Sequence, residues 1–334
     1  MKVAILGSSG QIGAYLTEYL TKKGHLVREF DVVNGYHEDM THIPNAFLRN
    51  VIMDSDFVFF LAFDVGGSHY LKKYQHTYKF INNNTRMMAN VFGHLADYKK
   101  PFVFASSQMS NMSYSPYGSM KRVGELYTKS LNGLIVKFWN VFGIEKDMEK
   151  AHVITDFIHK GFETGEIDMM TDGTEKREFL YAEDCCEALE TVMDCYNQFT
   201  SDDELHITTG ISTSILGIAQ KIKLLFKSIG KEVKIIPSSS KDEVQKDARN
   251  IPDPYIRKWW QPKTSIEDGI AKVFEVMKKC LDLITSVRWV VWETRCFNMQ
   301  QSKVSQENMD INIAFHQKIQ VNRLTIMVCL MPLK

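Results

Sequence analysis

The sequence predicts an α/β chain in which a parallel sheet is wound on both faces by helices and a smaller part follows toward the C-terminus. Two observations carry this. Short apolar runs of strand length alternate with amphipathic stretches of helical length over the first 140 residues or so, and the first run ends in a glycine-rich turn. Strands separated by helices pair in parallel through right-handed crossovers, because only that connection packs each helix back onto the sheet.

The first strand is KVAIL, residues 2–6, followed by the turn GSSGQIG and an amphipathic helix from Ala14 to Lys23. Gly7, Gly10 and Gly13 have the spacing of a dinucleotide-binding turn: absence of Cβ allows a tight bend, a close approach to pyrophosphate and a helix lying against its strand. Backbone N–H groups at the positive end of that helix, around Gln11 and Ile12, then meet the phosphates. The second strand, HLVREFDVV at 25–33, carries Asp31 near its end. A carboxylate there suits the ribose hydroxyls of NAD and repels the extra phosphate of NADP, so NAD is the expected cofactor. Further strands are expected at Phe57 to Ala62, Pro101 to Ala105 and Gly133 to Trp139, with a helix through Thr85 to Tyr98. The result is a Rossmann-type doubly wound sheet. Its ligands belong beyond the carboxyl ends of the strands, where the glycine turn, Asp31, Leu61, Ala62, Ser106, Ser107 and Asn140 all fall.

Forty basic residues balance forty acidic ones, which excludes the electrostatic footprint of a nucleic-acid or anionic-membrane binder. Apolar runs such as Val58 to Phe63 are too short to span a bilayer, and the opening MKVAILG carries no signal peptide, so a cytoplasmic location is the expectation. Six cysteines, at 185, 186, 195, 280, 296 and 329, have no metal-ligand spacing with one another or with histidine, and no metal is expected.

The stretch FASSQMSNMSYSPYGSMKRVGE, from Phe104 to Glu125, holds the chemistry. Tyr117 and Lys121 lie one helical turn apart and project from one face. A phenol of pKa about 10 is a poor base at neutral pH, and a neighbouring ammonium lowers that value. Ser107 or Ser106 can then hold a substrate oxygen while Tyr117 moves its proton.

These segments resemble the NAD-dependent epimerase/dehydratase family of extended short-chain dehydrogenase/reductases, which act on nucleotide sugars. The resemblance runs from Met1 to about Lys279 and rests on GSSGQIG, Asp31, LAFDVGG, NNTRMMANV, ASSQ, SPYGSMKRVGE and FWNVFG. DGTEKREFLYAEDCCEAL, ITTGISTSILGIA and WQPKTSIEDGI come after these in the family's order. It implies Tyr117 as acid and base, Lys121 on the nicotinamide ribose, Ser107 on the reacting sugar oxygen and Phe138 near the nicotinamide. Asn84 and Asn140 are implied to support or face the substrate, and Arg177 to grip its diphosphate with a fork that bonds two phosphate oxygens. For Arg177 the alternative is an ion pair with Glu175 or Glu178. Asp184 and Glu187 have the spacing of a capping box. The family also implies a homodimer through the helices bearing Tyr117 and Thr85 to Tyr98.

Departures narrow the reaction. The family's dehydratases carry an Asp-Glu pair after the serine and its decarboxylases a nearby glutamate, whereas this chain has Gln108 and Met109. Phe63 and Asp64 stand where small residues are usual. The expected activity is an NAD-dependent nucleotide-sugar epimerase working through a transient keto-sugar, most simply at C4. Alternatives are a 4-keto-sugar reductase and, in another class, a non-catalytic NAD-binding regulator. Residues 1–150 are assigned to the NAD-binding part and 151–279 mainly to substrate binding. The tail 280–334 shows no clear periodicity.

Overall fold

In the computed structural model, residues 1–245 and 250–301 are described, with 284–301 given by backbone alone. The first half alternates as expected: β1 (Lys2–Leu6), α1 (Gln11–Lys22), β2 (Leu26–Phe30), α2 (Ala46–Asp54), β3 (Phe57–Phe60), α3 (Ser68–Tyr74), α4 (Tyr78–Tyr98), β4 (Phe102–Ser107), α5 (Pro116–Ser130) and β5 (Leu134–Phe138). The second half runs β6 (Asn140–Phe142), α6 (Val153–Glu163), β7 (Glu166–Asp168), β8 (Lys176–Tyr181), α7 (Ala182–Asp194), β9 (Glu204–Ile207), β10 (Ser212–Ser214), α8 (Ile215–Ser228), β11 (Lys234–Ile236) and α9 (Ile266–Gln301).

Six strands form one parallel sheet in the order β2-β1-β3-β4-β5-β9. Because side chains alternate across a strand, each strand feeds both faces. Val3, Ile5, Phe57, Phe59 and Val103 pack with Leu16 and Leu20 of α1 and Leu189 and Val192 of α7. Ala4, Leu6, Val58, Phe60, Phe102 and Phe104 pack with Leu48 and Ile52 of α2 and Met88, Val91, Phe92 and Leu95 of α4. Strands covered on both sides read as unbroken apolar runs such as FVFF in β3, which makes them legible. Two small sheets, β10-β8-β6 and β11-β7, stand apart from the main one.

Several boundaries differ from those expected on sequence. Helix α4 begins at Tyr78 rather than Thr85, because the Thr77 side chain caps it by accepting from Phe80 N at 3.3 Å. Helix α1 begins at Gln11, so the glycine turn is itself the helix start. Helices α2 and α3 are additional to the elements expected. Asp184 is not part of a capping box: it accepts from Lys263 N at 3.0 Å and Thr264 N at 2.7 Å and so pins the WQPKT segment onto α7, whose N-cap is Tyr181. β9, well beyond residue 150, is the sixth strand of the main sheet. The chain divides into a unit of Met1–Ile270 and a second of Ala271–Lys334. Helix α9 continues to Gln301 although no helical period is legible beyond 280. The remainder of the tail, 302–334, lies outside the described residues. No described helix is long and apolar enough to cross a membrane.

The tightest packing is at the glycine turn, where a Cβ on Gly13 would stand 2.0 Å from the Gly7 carbonyl oxygen. Gly13→Ala is therefore expected to lower stability by about 1–3 kcal/mol, the usual cost of overpacking, read as a lower urea midpoint at unchanged slope.

Candidate active site

At the carboxyl end of β1, Gly7 adopts φ +94°, a conformation open to glycine, and a Cβ there would meet Ala62 N at 2.7 Å. Leu61 N and Ala62 N both donate to Leu6 O, at 2.9 and 2.8 Å, so the β3 end closes directly on the turn. Gly10 caps α1 without any side-chain hydrogen bond, which leaves the first-turn N–H groups of Gln11, Ile12 and Gly13 for an anion. Asp31, just past β2, is buried and accepts from Ser9 N at 3.0 Å and Val33 N at 3.1 Å, which ties the carboxylate to the turn. Ser8 Oγ and Gln11 Nε2 are buried there with no partner among the described residues. Helix N-terminus, orphaned polar atoms, absent Cβ atoms and a fixed carboxylate together fit NAD, with the pyrophosphate on the turn and a ribose at Asp31.

The second half of the site lies where β4 ends and α5 begins. Ser115 caps α5 by accepting from Gly118 N at 3.1 Å, and Pro116 occupies the first turn, where its missing N–H costs nothing. This start directs Tyr117 and Lys121 inward, and both are buried. Ser107, the last residue of β4, accepts from Met109 N at 3.1 Å. Burial pushes the Tyr117 phenol up to about 12, against a hydrogen bond with Ser107 that pulls it down. Lys121 does not lower it here, because burial pushes the lysine itself down to about 7, with Glu125 acting in opposition. Its ammonium donates to Ala105 O at 2.6 Å and lies 3.7 Å from the centroid of the Phe63 ring. Phe63 in turn meets Tyr117 edge on at 5.8 Å. The unusual aromatic at 63 thus covers the pair, a role that only its departure from the family pattern signals.

Three sequence-predicted residues are otherwise engaged. Asn84 lies within α4, fully buried: its Oδ1 accepts from Asp64 N at 2.8 Å and its amide donates to Asp64 O and Phe80 O. It holds the loop after β3. The Ser106 side chain is turned to the interior, its hydroxyl donating to Glu125 at 2.6 Å. Arg177, on β8, pairs with neither Glu175 nor Glu178 but with Asp242, and donates to Gln245 O at 3.0 Å. Asn140 starts β6 and donates to Glu178 O at 3.2 Å, while Phe138 ends β5 in the core. Gln108 is buried, its amide donating to Gln245 Oε1 at 3.0 Å and its oxygen accepting from Asn250 at 2.6 Å. These clamps come from 137 or more residues downstream and have no local signal.

A lysine whose proton is held less tightly in the folded chain than in the unfolded one weakens the fold while it is charged. Here that penalty is full below pH 7 and is relieved as pH rises from about 7 toward the unfolded value near 10.4. Lys121→Met should therefore be more stable than wild type at pH 6, with the gain shrinking by pH 10, as urea midpoints at the two pH values will show.

Known proteins resemble this chain in sequence and in fold. A UDP-N-acetyl-alpha-D-glucosaminuronate decarboxylase of Bacillus cytotoxicus is 28% identical over 269 residues, covering 69% of this chain and 82% of that protein. A GDP-L-fucose synthase of Sinorhizobium fredii is 28% identical over 134 residues, covering 39% of this chain and 41% of that one. Among solved structures, the UDP-glucose 4-epimerase of Thermotoga maritima superposes with a TM-score of 0.71 at 19% identity, over 84% of this chain and all of the other, a likeness of fold. The sequence pattern of the NAD dependent epimerase/dehydratase family matches residues 3–207, more than half of the chain. From strand order, glycine turn and Ser-Tyr-Lys cluster to this match, the chain belongs to the NAD dependent epimerase/dehydratase family, extended short-chain dehydrogenase/reductases of nucleotide sugars.

Proposed function

We propose that the protein is a nucleotide-sugar epimerase that works through a transient keto-sugar, with C4 the carbon oxidised. The observation that carries this reading is the absence of a second acid on the segment just after Ser107. Gln108 and Met109 are both buried there, the amide of Gln108 is committed to Gln245 and Asn250, and neither side chain exchanges a proton. Asp64, on the loop after β3, is held by the Tyr70 hydroxyl at 2.5 Å and Asn83 at 3.0 Å. Elimination and decarboxylation as the family performs them call for such an acid, so the decarboxylase relative is set aside in favour of epimerisation.

Bound NAD supplies the chemistry of accepting a hydride from the sugar carbon and returning it. The chain's residues handle the proton and the orientation. Ser107 holds the sugar oxygen, and Tyr117 takes its proton as the carbonyl forms and gives it back as the carbonyl closes. Lys121, when protonated, favours the phenolate form of Tyr117. Arg177 turns from Asp242 to the diphosphate, with Asn140 beside it at the start of β6.

The protein is further proposed to be a homodimer. Val123, Leu126 and Tyr127 on α5 and Tyr78 and Ile81 on α4 are exposed large apolar side chains, Leu126 at 58% and Tyr78 at 82%. Leu126→Glu should convert the dimer to a monomer in light scattering; an unchanged mass sinks this assignment.

The decisive experiment denatures the purified protein to identify the released nucleotide and screens UDP-, GDP-, dTDP- and CDP-sugars by NMR. Interconversion without net change in nicotinamide absorbance is expected, and Tyr117→Phe should lose about 10²–10⁴ in turnover while keeping its NAD. Stoichiometric consumption of NAD(P)H would replace the epimerase with a 4-keto-sugar reductase, and inactivity across the panel would leave a binding protein.

A further inference from the structure

A run of buried charge lies behind the catalytic cluster and is not used by the proposed chemistry. Glu125, one turn beyond Lys121 on α5, has no exposed surface. Its Oε1 accepts from Ser106 Oγ at 2.6 Å and its Oε2 from Arg122 Nη1 at 2.7 Å. Lys137, in β5 and equally buried, lies 3.4 Å from Glu125 and 2.6 Å from Glu204 of β9. Beyond Glu204 stands His206, 3.9 Å away, which also accepts from Trp139 Nε1 at 3.3 Å.

Neutralising Lys137 alone does not account for Glu125, because Lys137 has the closer carboxylate of Glu204. The other contacts of Glu125 point to the site. Lys121 holds the Ala105 carbonyl, Glu125 holds the Ser106 hydroxyl, and Ser107 comes next as the oxygen-binding residue, so α5 grips three consecutive positions at the end of β4. Among the described residues, the charged or titratable groups around Lys121 are Tyr117 and Glu125 on its own helix, and its other contacts are the Phe63 and Phe104 rings and the Ala105 carbonyl. Around Glu125 stand Arg122 of α5, Ser106 of β4 and Lys137 of β5, then Glu204 and His206 of β9, with Lys121 one turn away on the same helix.

We propose that Glu125 is a positioning residue of the Tyr117–Lys121 pair: its buried carboxylate keeps Lys121 protonated and, through Ser106, fixes the strand end that presents Ser107. The inference rests on the reading of Lys121 as a member of the active pair. Burial disfavours the ammonium, and Glu125 is the group that opposes this. Without that carboxylate the neutral amine prevails from lower pH.

NMR of protein labelled at lysine ¹³Cε reads the titration of Lys121 directly, with the resonance identified by its loss in Lys121→Met. In Glu125→Gln, which keeps shape and a hydrogen-bonding group for Ser106, the midpoint should fall by about one pH unit, a tenfold loss of proton affinity. An unchanged or raised midpoint overturns the proposal. Should that variant not fold, Arg122→Gln decides: freed from one cation, Glu125 should hold the Lys121 proton to higher pH, and a fixed midpoint is the contrary result. Because the titration needs no substrate, its outcome is separate from that of the sugar screen. In a turnover assay the basic limb of the pH profile should move with the NMR midpoint, which a purely structural role would not produce.

Discussion

Three charged side chains, Lys121, Glu125 and Lys137, are buried where α5 packs on β4 and β5, and the site is built around keeping them there. A buried ion is tolerated only with partners of opposite charge or a full set of hydrogen bonds. That requirement consumes the Ala105 carbonyl, the Ser106 hydroxyl and the Arg122 guanidinium, and brings the Phe63 ring onto Lys121. The end of β4 is therefore held from the helix side, and Ser107 inherits a fixed place. Small residues at Gly118 and Gly124 let α5 lie this close: a Cβ on Gly118 would stand 2.1 Å from the Met109 carbonyl oxygen, and one on Gly124 2.3 Å from the Phe104 ring.

Legibility depends on the range of the interactions. β1 to β5, the glycine turn and Tyr117 with Lys121 are written in local patterns, an apolar period, a glycine spacing and a one-turn offset, and all are present in the fold as elements. Helix α2 escapes because its buried face is two residues, Leu48 and Ile52, too few for a visible period. The clamps on Gln108, the Arg177–Asp242 pair and the Asp184 anchor join segments far apart in sequence, where no spacing rule applies. The charge states of the active pair are beyond reach for another reason: the sequence suggests a lysine beside a phenol, but the degree of burial decides whether that lysine is a cation.

The comparisons divide over chemistry while agreeing over fold, with a decarboxylase, a synthase and an epimerase among the similar proteins. That pattern is expected when one scaffold supplies cofactor, serine, tyrosine and lysine, and neighbouring positions select the fate of the oxidised sugar. In this chain those positions hold an amide locked by two partners and a thioether, neither of which exchanges a proton.

The return of β9 to the main sheet bears on how the protein is made. β5 lies interior in the finished sheet, between β4 and β9. On the ribosome, however, the chain through β5 emerges while Glu204–Ile207 is still unsynthesised, and all of β6 to α7 intervenes. For that interval β5 is an unprotected edge bearing Lys137 without Glu204, and edges of apolar strands invite pairing with other chains. A lysine on an edge strand disfavours such pairing, and in the finished sheet the same side chain is buried between Glu125 and Glu204.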